Sequence, residues 1–306
     1  MYVGIDIGGT KCAVVFGDAE GRIVKKIKFE TTDKEETLSR IFNAVGEMSG
    51  FDRIGISCGG PLDEENGIIL SPPNLPGWDE VHIVDMLVER FGVPTRIMND
   101  ANACAVAEWR FGAGMGTKNM VFLTFGTGLG AGLILDGKLY SGSCGFAGEV
   151  GHIRLSDYGP AGYGKCGSFE GFCSGGGLRE LGRGLAREYI QRGEIPSFVA
   201  NSSIESFTVA DMAGAARMGD DCALEAFEIC GKMLGKGLSI ICDMLNPDAV
   251  VIGSIYERCR DLLEKNTLKW LRQEALPAVS GHVKVLPAAL GDKIGDLAAI
   301  AVAMDA

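Results

Sequence analysis

The alternation of apolar and polar residues predicts that the same order of strands and helices occurs twice along the chain. The predicted strands of the first half lie at residues 2–7, 11–17, 21–29, 53–58 and 94–98, and its helices lie at 34–48, at 81–91 and from about 101. The predicted strands of the second half lie at 119–125, 129–135, 138–140, 249–252 and 283–285, and its helices lie at 175–191, 222–245, 255–273 and 292–304. The repeated order, β-β-β-α-β-α-β-α, predicts a duplicated α/β fold.

Each half begins with a strand, a glycine-rich turn and a second strand. In the first copy the apolar run reaches Asp6 and turns at Gly8-Gly9-Thr10, and in the second copy the turn is Gly126-Thr127-Gly128. Glycine has no side chain, so the peptide N–H groups of such a turn can approach an anion closely. The ordinary alternative for a single copy is a tight hairpin capped by its aspartate. The duplication favours two turns that hold a polyphosphate between them.

The composition fits an ordinary globular protein with a large core. The chain has 306 residues, of which 46% are hydrophobic, and its formal net charge is −11. This acidic balance argues against nucleic-acid or anionic-membrane surfaces, but peptide donors and Mg²⁺ can still hold a nucleotide. The ten cysteines lie mostly in apolar segments, and neither a transmembrane run nor a signal-peptide pattern is evident. We expect a cytoplasmic protein.

The predicted boundary between the two lobes lies where FGAGMGTK, near residues 112–118, interrupts a helical pattern. Residues 1–115 would form a small lobe to which a closing helix at about 292–306 returns. Residues 116–291 would form a larger lobe with insertions at 141–174 and 192–210.

Six motifs in this order resemble the ROK family of hexokinases and repressors, within the superfamily of sugar kinases, heat-shock-70 proteins and actin. They are GIDIGGTK, SPPNLPGW, NDANACAVAEW, FGTGLGAGLI, GEVGH and NPDAVVIG. The resemblance covers nearly the whole chain. It implies two ribonuclease-H-like (actin-like ATPase) lobes with a cleft between them.

The resemblance implies that the glycine turns bind ATP. Asp6 lies at the end of a buried strand, where a carboxylate can orient a hydrated Mg²⁺ that bridges the β- and γ-phosphates. Lys11 would add charge near the phosphates, or it is an ordinary exposed lysine. Gly253 resembles a turn on the adenosine side, although the usual second glycine is Ser254 here. The expected nucleotide-binding residues are Asp6, Gly8, Gly9, Thr10, Lys11, Gly126, Thr127, Gly128 and Gly253.

A second group of polar residues would bind a hexose. The resemblance makes Asp100 the general base that accepts the proton of the attacking sugar hydroxyl, although an aspartate at this point is also a common helix N-cap. Carboxylate and imidazole groups suit a polyol because each hydroxyl both donates and accepts hydrogen bonds. The expected sugar contacts are Asn74, Asn99, Asp100, Glu149, His152 and Glu170.

The cysteine pattern departs from the family. Many members carry a structural zinc held by the GEVGH histidine and three cysteines, but here Ser168 replaces one of those cysteines. Cys166 and Cys173 alone are too few and wrongly spaced for a four-ligand site. We therefore expect no structural zinc.

The resemblance implies an ATP-dependent hexose kinase that forms the sugar 6-phosphate, most simply from glucose and as a homodimer. Mannose, fructose, allose and N-acetylhexosamines are alternative substrates. A sugar-responsive repressor is a second hypothesis, against which the early first strand and the absence of a basic recognition helix argue. A protein-binding ATPase is a third, and it leaves the Asn99-Asp100 and Glu149/His152 groups without a role.

Overall fold

The computed structural model describes residues 1–200 and 202–306, and its strands confirm the predicted alternation in both halves. The strands of the first half are β1 (Tyr2–Ile7), β2 (Lys11–Gly17), β3 (Ile23–Glu30), β4 (Arg53–Cys58), β5 (Leu62–Asp63), β6 (Ile68–Ile69) and β7 (Thr95–Asn99). Those of the second half are β8 (Met120–Phe125), β9 (Leu129–Leu135), β10 (Lys138–Tyr140), β11 (Ala161–Gly162), β12 (Lys165–Cys166), β13 (Ala249–Ile252) and β14 (Lys284–Pro287). The hairpins β5–β6 and β11–β12 are too short for a periodic signal and were not predicted.

Two five-stranded sheets have equivalent topologies. The first has the order β3-β2-β1-β4-β7 and the second the order β10-β9-β8-β13-β14. In the first, β2 lies antiparallel between β1 and β3, while β4 runs parallel to both β1 and β7. In the second, β13 runs parallel to β8 and β14, and β10 runs antiparallel to β9. The internal duplication inferred from the sequence is therefore a duplication of topology.

The predicted helices are all present, but one of them is divided in two and several further helices were not predicted. They are α1 (Lys34–Gly46), α2 (Ile83–Phe91), α3 (Asp100–Phe111), α4 (Phe169–Phe172), α5 (Gly175–Gln191), α6 (Ser197–Ala200), α7 (Val209–Arg217), α8 (Asp221–Leu245), α9 (Ile255–Arg258), α10 (Arg260–Glu274), α11 (Pro277–Ser280) and α12 (Ile294–Met304). The helix predicted at 255–273 is two helices, because Cys259 leaves the helical conformation at φ −121° and ψ 26°. The helix α7 was not predicted, and a capping box between Thr208 and Asp211 starts it.

By contacts, the chain divides into two compact units. The first contains Met1–Thr117, Gly132–Ala147 and Ala289–Ala306, and the second contains Lys118–Ala131 and Gly148–Ala288. The segment that begins at Gly132 groups with the first unit. Gly132 packs closely on α3, since a Cβ at this position would lie 2.4 Å from the Cβ of Ala105. The predicted boundary between the two lobes stays a prediction.

In the first unit, α12 packs directly on β1 and β4. A Cβ at Gly4 would lie 2.8 Å from the Cβ of Ala299, and a Cβ at Gly55 would lie 2.1 Å from the backbone nitrogen of Ala303. Gly4 and Gly55 are paired across the two strands, so their missing side chains form one shallow surface for the alanine-rich helix. The opposite face of the sheet carries the apolar core, with Val3, Ile5, Ile54 and Ile56 fully buried.

In the second unit, α8 packs against α10 and α5. Glycines at the α8–α10 contact allow a close approach, since a Cβ at Gly235 would lie 2.5 Å from the carbonyl oxygen of Thr267. Among the helices that the structure describes, none is both long enough and apolar enough to cross a membrane.

Candidate active site

Asp6 lies near the end of β1, on the face that carries α12. Side chains alternate along a strand, so Asp6 points to the same side as Gly4. Ala299 of α12 contacts Gly4, and Gly295 lies one helical turn before Ala299. A Cβ at Gly295 would lie 2.7 Å from Oδ2 of Asp6. Only glycine at position 295 therefore leaves room for the Asp6 carboxylate against the first turn of α12.

The neighbourhood of Asp6 is rich in negative charge. Burial, together with Asp296 and Asp100, raises the pKa of Asp6 from its ordinary value of 3.8 to about 6, against the opposing effect of Lys26 and Lys28. Asp296 itself is 8% exposed and is paired with Lys26, whose Nζ lies 2.6 Å from its Oδ2. A raised pKa means that the surroundings of a carboxylate disfavour its charged form. A cation bound beside it would stabilise that charged form. Sequence reasoning missed Gly295 and Asp296, whose only sequence signal is the short GDKIGD run that leads into the first turn of α12.

The first glycine turn follows Asp6. The N–H of Gly8 donates to the carbonyl of Lys11 at 3.1 Å, and the hydroxyl of Thr31 donates to the carbonyl of Gly8 at 2.6 Å. Gly9, Thr10 and Lys11 are exposed, and so the turn is open to solvent on one side. Thr31, at the end of β3, is a further residue that the sequence did not single out.

Asn74 lies on this turn. A Cβ at Gly9 would lie 2.5 Å from the carbonyl oxygen of Asn74 and 2.7 Å from its Cβ. The loop is anchored by Leu75 and Trp78, which are 2% and 1% exposed, while Asn74 is exposed. The structure therefore brings a predicted sugar contact next to a predicted phosphate turn.

Asn99 ends β7, and Asp100 begins α3. Asn99 is the N-cap, and its Oδ1 accepts a hydrogen bond from the N–H of Ala101 at 3.0 Å. The capping role considered for Asp100 thus belongs to the preceding residue. Asp100 lies in the first helical turn, where its Oδ1 also accepts from the N–H of Ala101, at 2.8 Å.

The side chain of Asp100 reaches water but is only partly hydrated. The residue is exposed, yet the surrounding protein displaces enough water to raise the pKa of its carboxyl group, a rise that the N–H of Ala101 partly offsets. A carboxylate with a raised pKa is a stronger base than an ordinary aspartate. Asp6 and Asp100 are close enough to affect each other electrostatically, so the first unit carries two of the predicted functional acids in one place.

The second glycine turn is closed by its own hydrogen bond and is joined to the start of α5. The N–H of Gly126 donates to the carbonyl of Gly128 at 3.1 Å, and the carbonyl of Gly126 accepts from the N–H of Gly175 at 2.7 Å. Gly175 is the first residue of α5, whose N-cap is Ser174. The N-terminus of a long helix adjoins this turn, a place where peptide N–H groups and the helix dipole favour an anion. The run SGGG at 174–177 was its sequence signal and was not recognised.

Glu170 lies directly against this turn. Its Oε2 accepts from the N–H of Leu129 at 3.0 Å, and a Cβ at Gly128 would lie 2.9 Å from the same oxygen. A Cβ at Gly151 would lie 2.2 Å from the carbonyl oxygen of Leu129 and 3.3 Å from the Cβ of Glu170. Since Gly151 stands between Glu149 and His152, the structure groups all three predicted sugar residues of this unit beside the second turn.

Glu149 and His152 are both exposed at the ends of a single 3₁₀ turn. The imidazole of His152 packs against the ring of Tyr163, with the ring centroids 5.1 Å apart and the planes at 73°. The Nζ of Lys165 donates to the carbonyl of His152 at 2.7 Å. The β11–β12 hairpin therefore holds the histidine backbone while its side chain stays accessible.

Gly253 and Ser254 follow β13. Ser254 has φ 54° and ψ −105°, a conformation that glycine adopts easily and that other residues rarely adopt. The chain therefore keeps a glycine-like backbone where it lacks the second glycine of the family pattern. A Cβ at Gly126 would lie 3.9 Å from the Oγ of Ser254, so this turn adjoins the second glycine turn.

The remaining cysteines of the altered motif do not converge. Cys166 is exposed and its Sγ donates to the carbonyl of Gly159 at 2.9 Å, whereas Cys173 is fully buried and its Sγ donates to the carbonyl of Cys230 at 3.6 Å. Within residues 1–200 and 202–306, no group of three or more His, Cys, Asp and Glu residues is arranged to hold a metal ion. The expected absence of zinc stays a prediction.

Comparisons with known proteins agree with this architecture. The family model described as "ROK family" matches residues 2–306. The chain belongs to the ROK family. A glucokinase of Thermotoga maritima is 31% identical to it, over 98% of this chain and 96% of that protein. A xylose repressor of Caldicellulosiruptor bescii is 28% identical, over 98% of this chain and 77% of the repressor.

The fold has a solved counterpart in the same family. The crystal structure of a ROK family glucokinase from Streptomyces griseus, in complex with glucose and AMPPNP, matches with a TM-score of 0.79 and 31% identity. The match covers 100% of this chain and 99% of that one. The predicted fold class, two α/β lobes of the actin-like ATPase type, is confirmed.

Proposed function

We propose that this ROK family protein is an ATP-dependent sugar kinase that transfers the γ-phosphoryl group to the 6-hydroxyl of a hexose, with glucose as the first candidate. The observation that carries the proposal is the placement of Asp6 and Asp100 together beside an exposed glycine turn, both with raised pKa values. The full-length similarity to glucokinases, one of them bound to glucose and AMPPNP, supports the substrate class.

Asp100 is the proposed general base. A hexose hydroxyl is a weak nucleophile, and a carboxylate that accepts its proton in the transition state makes the attack easier. The raised pKa of Asp100 makes its carboxylate a stronger base than that of an ordinary aspartate. Asn99 and Asn74 are proposed to bind sugar hydroxyls from the same unit.

Glu149, His152 and Glu170 are the proposed sugar contacts of the second unit. A carboxylate accepts and an imidazole both donates and accepts, so together they match hydroxyls that do both. Because an unmatched buried hydroxyl or carboxylate costs about 1–3 kcal/mol, such a set discriminates among hexoses.

The two glycine turns are the proposed phosphate contacts. Gly8, Gly9, Thr10 and Lys11 supply peptide N–H groups, a hydroxyl and a charge, and Gly126, Thr127 and Gly128 supply the second turn, with Gly253 toward the nucleoside. The uncompensated anion of Asp6 fits a magnesium ion that neutralises phosphate charge, held directly or through water. Binding such an ion requires Asp6 to be ionised, which its pKa of about 6 allows at neutral pH.

The decisive experiment is a coupled ADP-release assay with glucose, mannose, fructose, allose and N-acetylhexosamines. Release that depends on a hexose supports the kinase, and release without sugar would favour a protein-binding ATPase. The similarity to xylose repressors makes a sugar-binding regulator the second candidate. Sugar binding by calorimetry with no ADP release in any combination would favour that regulator.

The role of Asp100 has its own test. We expect Asp100→Asn to lower kcat about 100- to 10,000-fold, with KM values for hexose and ATP within about threefold of the wild type. Asp85→Asn is the matched control, since Asp85 also lies in the first turn of a helix, α2, and is exposed. An Asp100→Asn enzyme with wild-type kcat would remove Asp100 from the role of base.

A further inference from the structure

The segment that follows β4 lies alongside Asn99 and Asp100. After Cys58 the chain passes through Gly59 and Gly60. A Cβ at Gly59 would lie 3.8 Å from Oδ2 of Asp100, and a Cβ at Gly60 would lie 3.5 Å from Nδ2 of Asn99. A Cβ at Gly59 would therefore be in van der Waals contact with Asp100, and a Cβ at Gly60 would be in contact with Asn99.

The same segment contacts Asn99 a second time. The chain continues through β5 into the β5–β6 turn, where Oε1 of Glu64 accepts a hydrogen bond from the backbone N–H of Asn99 at 2.8 Å. The strand β7, which Asn99 ends, is one of the two edge strands of its sheet. The backbone N–H and C=O groups on the outer side of an edge strand have no partner strand. Here the carboxylate of Glu64 accepts the hydrogen bond of one such N–H group.

The β5–β6 turn does not need Glu64 for its own structure. Oδ1 of Asp63 accepts from the N–H of Asn66 at 3.0 Å, and Oδ2 accepts from Nδ2 of Asn66 at 2.8 Å. The carbonyl of Gly67 accepts from the N–H of Val84 at 3.3 Å, which ties the turn to α2. With the turn held in this way, the carboxylate of Glu64 is directed to Asn99 rather than to the turn.

The next residue provides a contrast. Glu65 lies in the same turn and, like Glu64, lines a cavity of about 760 Å³ beside β7. Glu64 is half-buried and Glu65 is exposed. Two adjacent glutamates thus share the turn and the cavity, but it is Glu64 that accepts from the N–H of Asn99.

Asn99 is fixed at both its backbone and its side chain. Its N–H donates to Glu64, and its Oδ1 accepts from the N–H of Ala101. These two bonds set the direction in which the chain leaves β7, and Asp100 is the next residue. A displacement of a reacting group by about 1 Å can cost as much as about 100-fold in rate.

We propose that Glu64 is a positioning residue for the reaction, which acts by holding the N–H of Asn99 and so orienting Asn99 and Asp100 toward the hexose. This inference rests on the proposed function. Glu64 touches neither substrate in this scheme, and its effect is transmitted through one hydrogen bond. Holding the N–H of Asn99 requires a hydrogen-bond acceptor at position 64 but does not require a negative charge.

The test compares Glu64→Ala, Glu64→Gln and Glu65→Ala in the full chain, by steady-state kinetics and thermal unfolding. We expect Glu64→Ala to lower kcat about 10- to 100-fold, with KM for ATP within about twofold of the wild type. Glu64→Gln keeps an acceptor oxygen and should recover kcat to within about threefold of the wild type. Glu65→Ala should match the wild type in both kcat and unfolding temperature.

A second readout is independent of the activity. Amide hydrogen exchange at Asn99 should accelerate at least about tenfold in Glu64→Ala and stay unchanged in Glu65→Ala, because the protecting acceptor is lost only in the former. A wild-type protein without hexose-dependent ADP release refutes the proposed function, and with it the positioning role of Glu64 in the reaction. The exchange experiment still decides whether the hydrogen bond holds Asn99. Wild-type kcat in Glu64→Ala, unchanged exchange at Asn99, or a kcat loss that Glu64→Gln does not recover would each overturn the inference.

Discussion

At the scale of single residues, acidic side chains of the first unit lie close enough together for their negative charges to repel one another. Asp296 and Asp100 lower the tendency of Asp6 to ionise, and Lys26 forms an ion pair with Asp296. Such an arrangement destabilises the folded protein, since the charged form of Asp6 is poorly hydrated. Carboxylates with this property occur at functional sites more often than elsewhere, which is consistent with the proposed role of Asp6.

Asp6 gives a prediction for the pH dependence of stability. Its pKa is 3.8 in the unfolded chain and about 6 in the folded protein, so between these values the folded state binds more protons than the unfolded state. The free energy of unfolding must therefore fall as the pH rises through this window. Relative to Asp6→Asn, the wild type should lose about 2 kcal/mol between about pH 4 and pH 7, measured by urea unfolding.

The matched control for this experiment is Asp157→Asn, which changes an exposed aspartate. Its stability should follow that of the wild type throughout the window. If the wild type and Asp6→Asn differ by the same amount at both pH values, the raised pKa of Asp6 is wrong.

At the scale of secondary-structure elements, missing side chains decide how closely α12 and the central strands approach. Gly4 and Gly55 allow the backbone of α12 to lie on β1 and β4, and the same contact brings Gly295 to Asp6. The site is therefore coupled to packing, because the distance between α12 and β1 sets the space around the Asp6 carboxylate.

Gly55→Ala should destabilise the protein by about 3 kcal/mol in urea unfolding, because its Cβ would meet backbone atoms of α12 that cannot move without displacing the helix. Gly46→Ala is the matched control. Gly46 is the last residue of α1, and a Cβ there meets nothing within 4 Å. That variant should be neutral or more stable by about 0.5 kcal/mol, since alanine restricts the unfolded chain. Equal stability of the two variants would contradict the close packing of α12.

At the scale of the whole molecule, one buried acid joins segments that are far apart in the sequence. Glu108, near the end of α3, is 0% exposed, and its Oε1 accepts from the N–H groups of Ala289 and Leu290, each at 2.9 Å. Its Oε2 accepts from the N–H of Ala113 at 2.8 Å. Ala289 is the point at which the chain returns to the first unit before α12, so Glu108 fixes the start of that return.

Glu108→Ala should lower the free energy of unfolding by about 3 kcal/mol, because it removes a buried carboxylate and leaves three partly buried N–H groups without their acceptor. Glu108→Gln keeps one acceptor oxygen and should cost about half as much. Glu89→Ala, at an exposed position of α2, should stay within about 0.5 kcal/mol of the wild type. A small effect of Glu108→Ala in urea unfolding would show that the hydrogen bonds of Glu108 contribute little to the stability of the protein.

The sequence by itself determined the elements and the duplication. Strands and helices follow from local periodicity, and the turns at 8–11 and 126–128 follow from glycine, which is why their bounds were nearly correct. Local patterns failed where a break depends on one backbone angle, as at Cys259 between α9 and α10. They also failed where elements are too short for a period, as in β5 and β6.

Only the tertiary structure decided which distant residues meet. Gly295 lies against Asp6, Glu64 accepts from Asn99, and Glu170 holds the strand after the second glycine turn. None of these pairs shares a local pattern, because a hydrogen bond between segments tens or hundreds of residues apart depends on how the sheets and helices pack. The sequence thus provides the chemical groups, and the packing of α12, β1 and β7 sets the directions in which the groups of the first unit point.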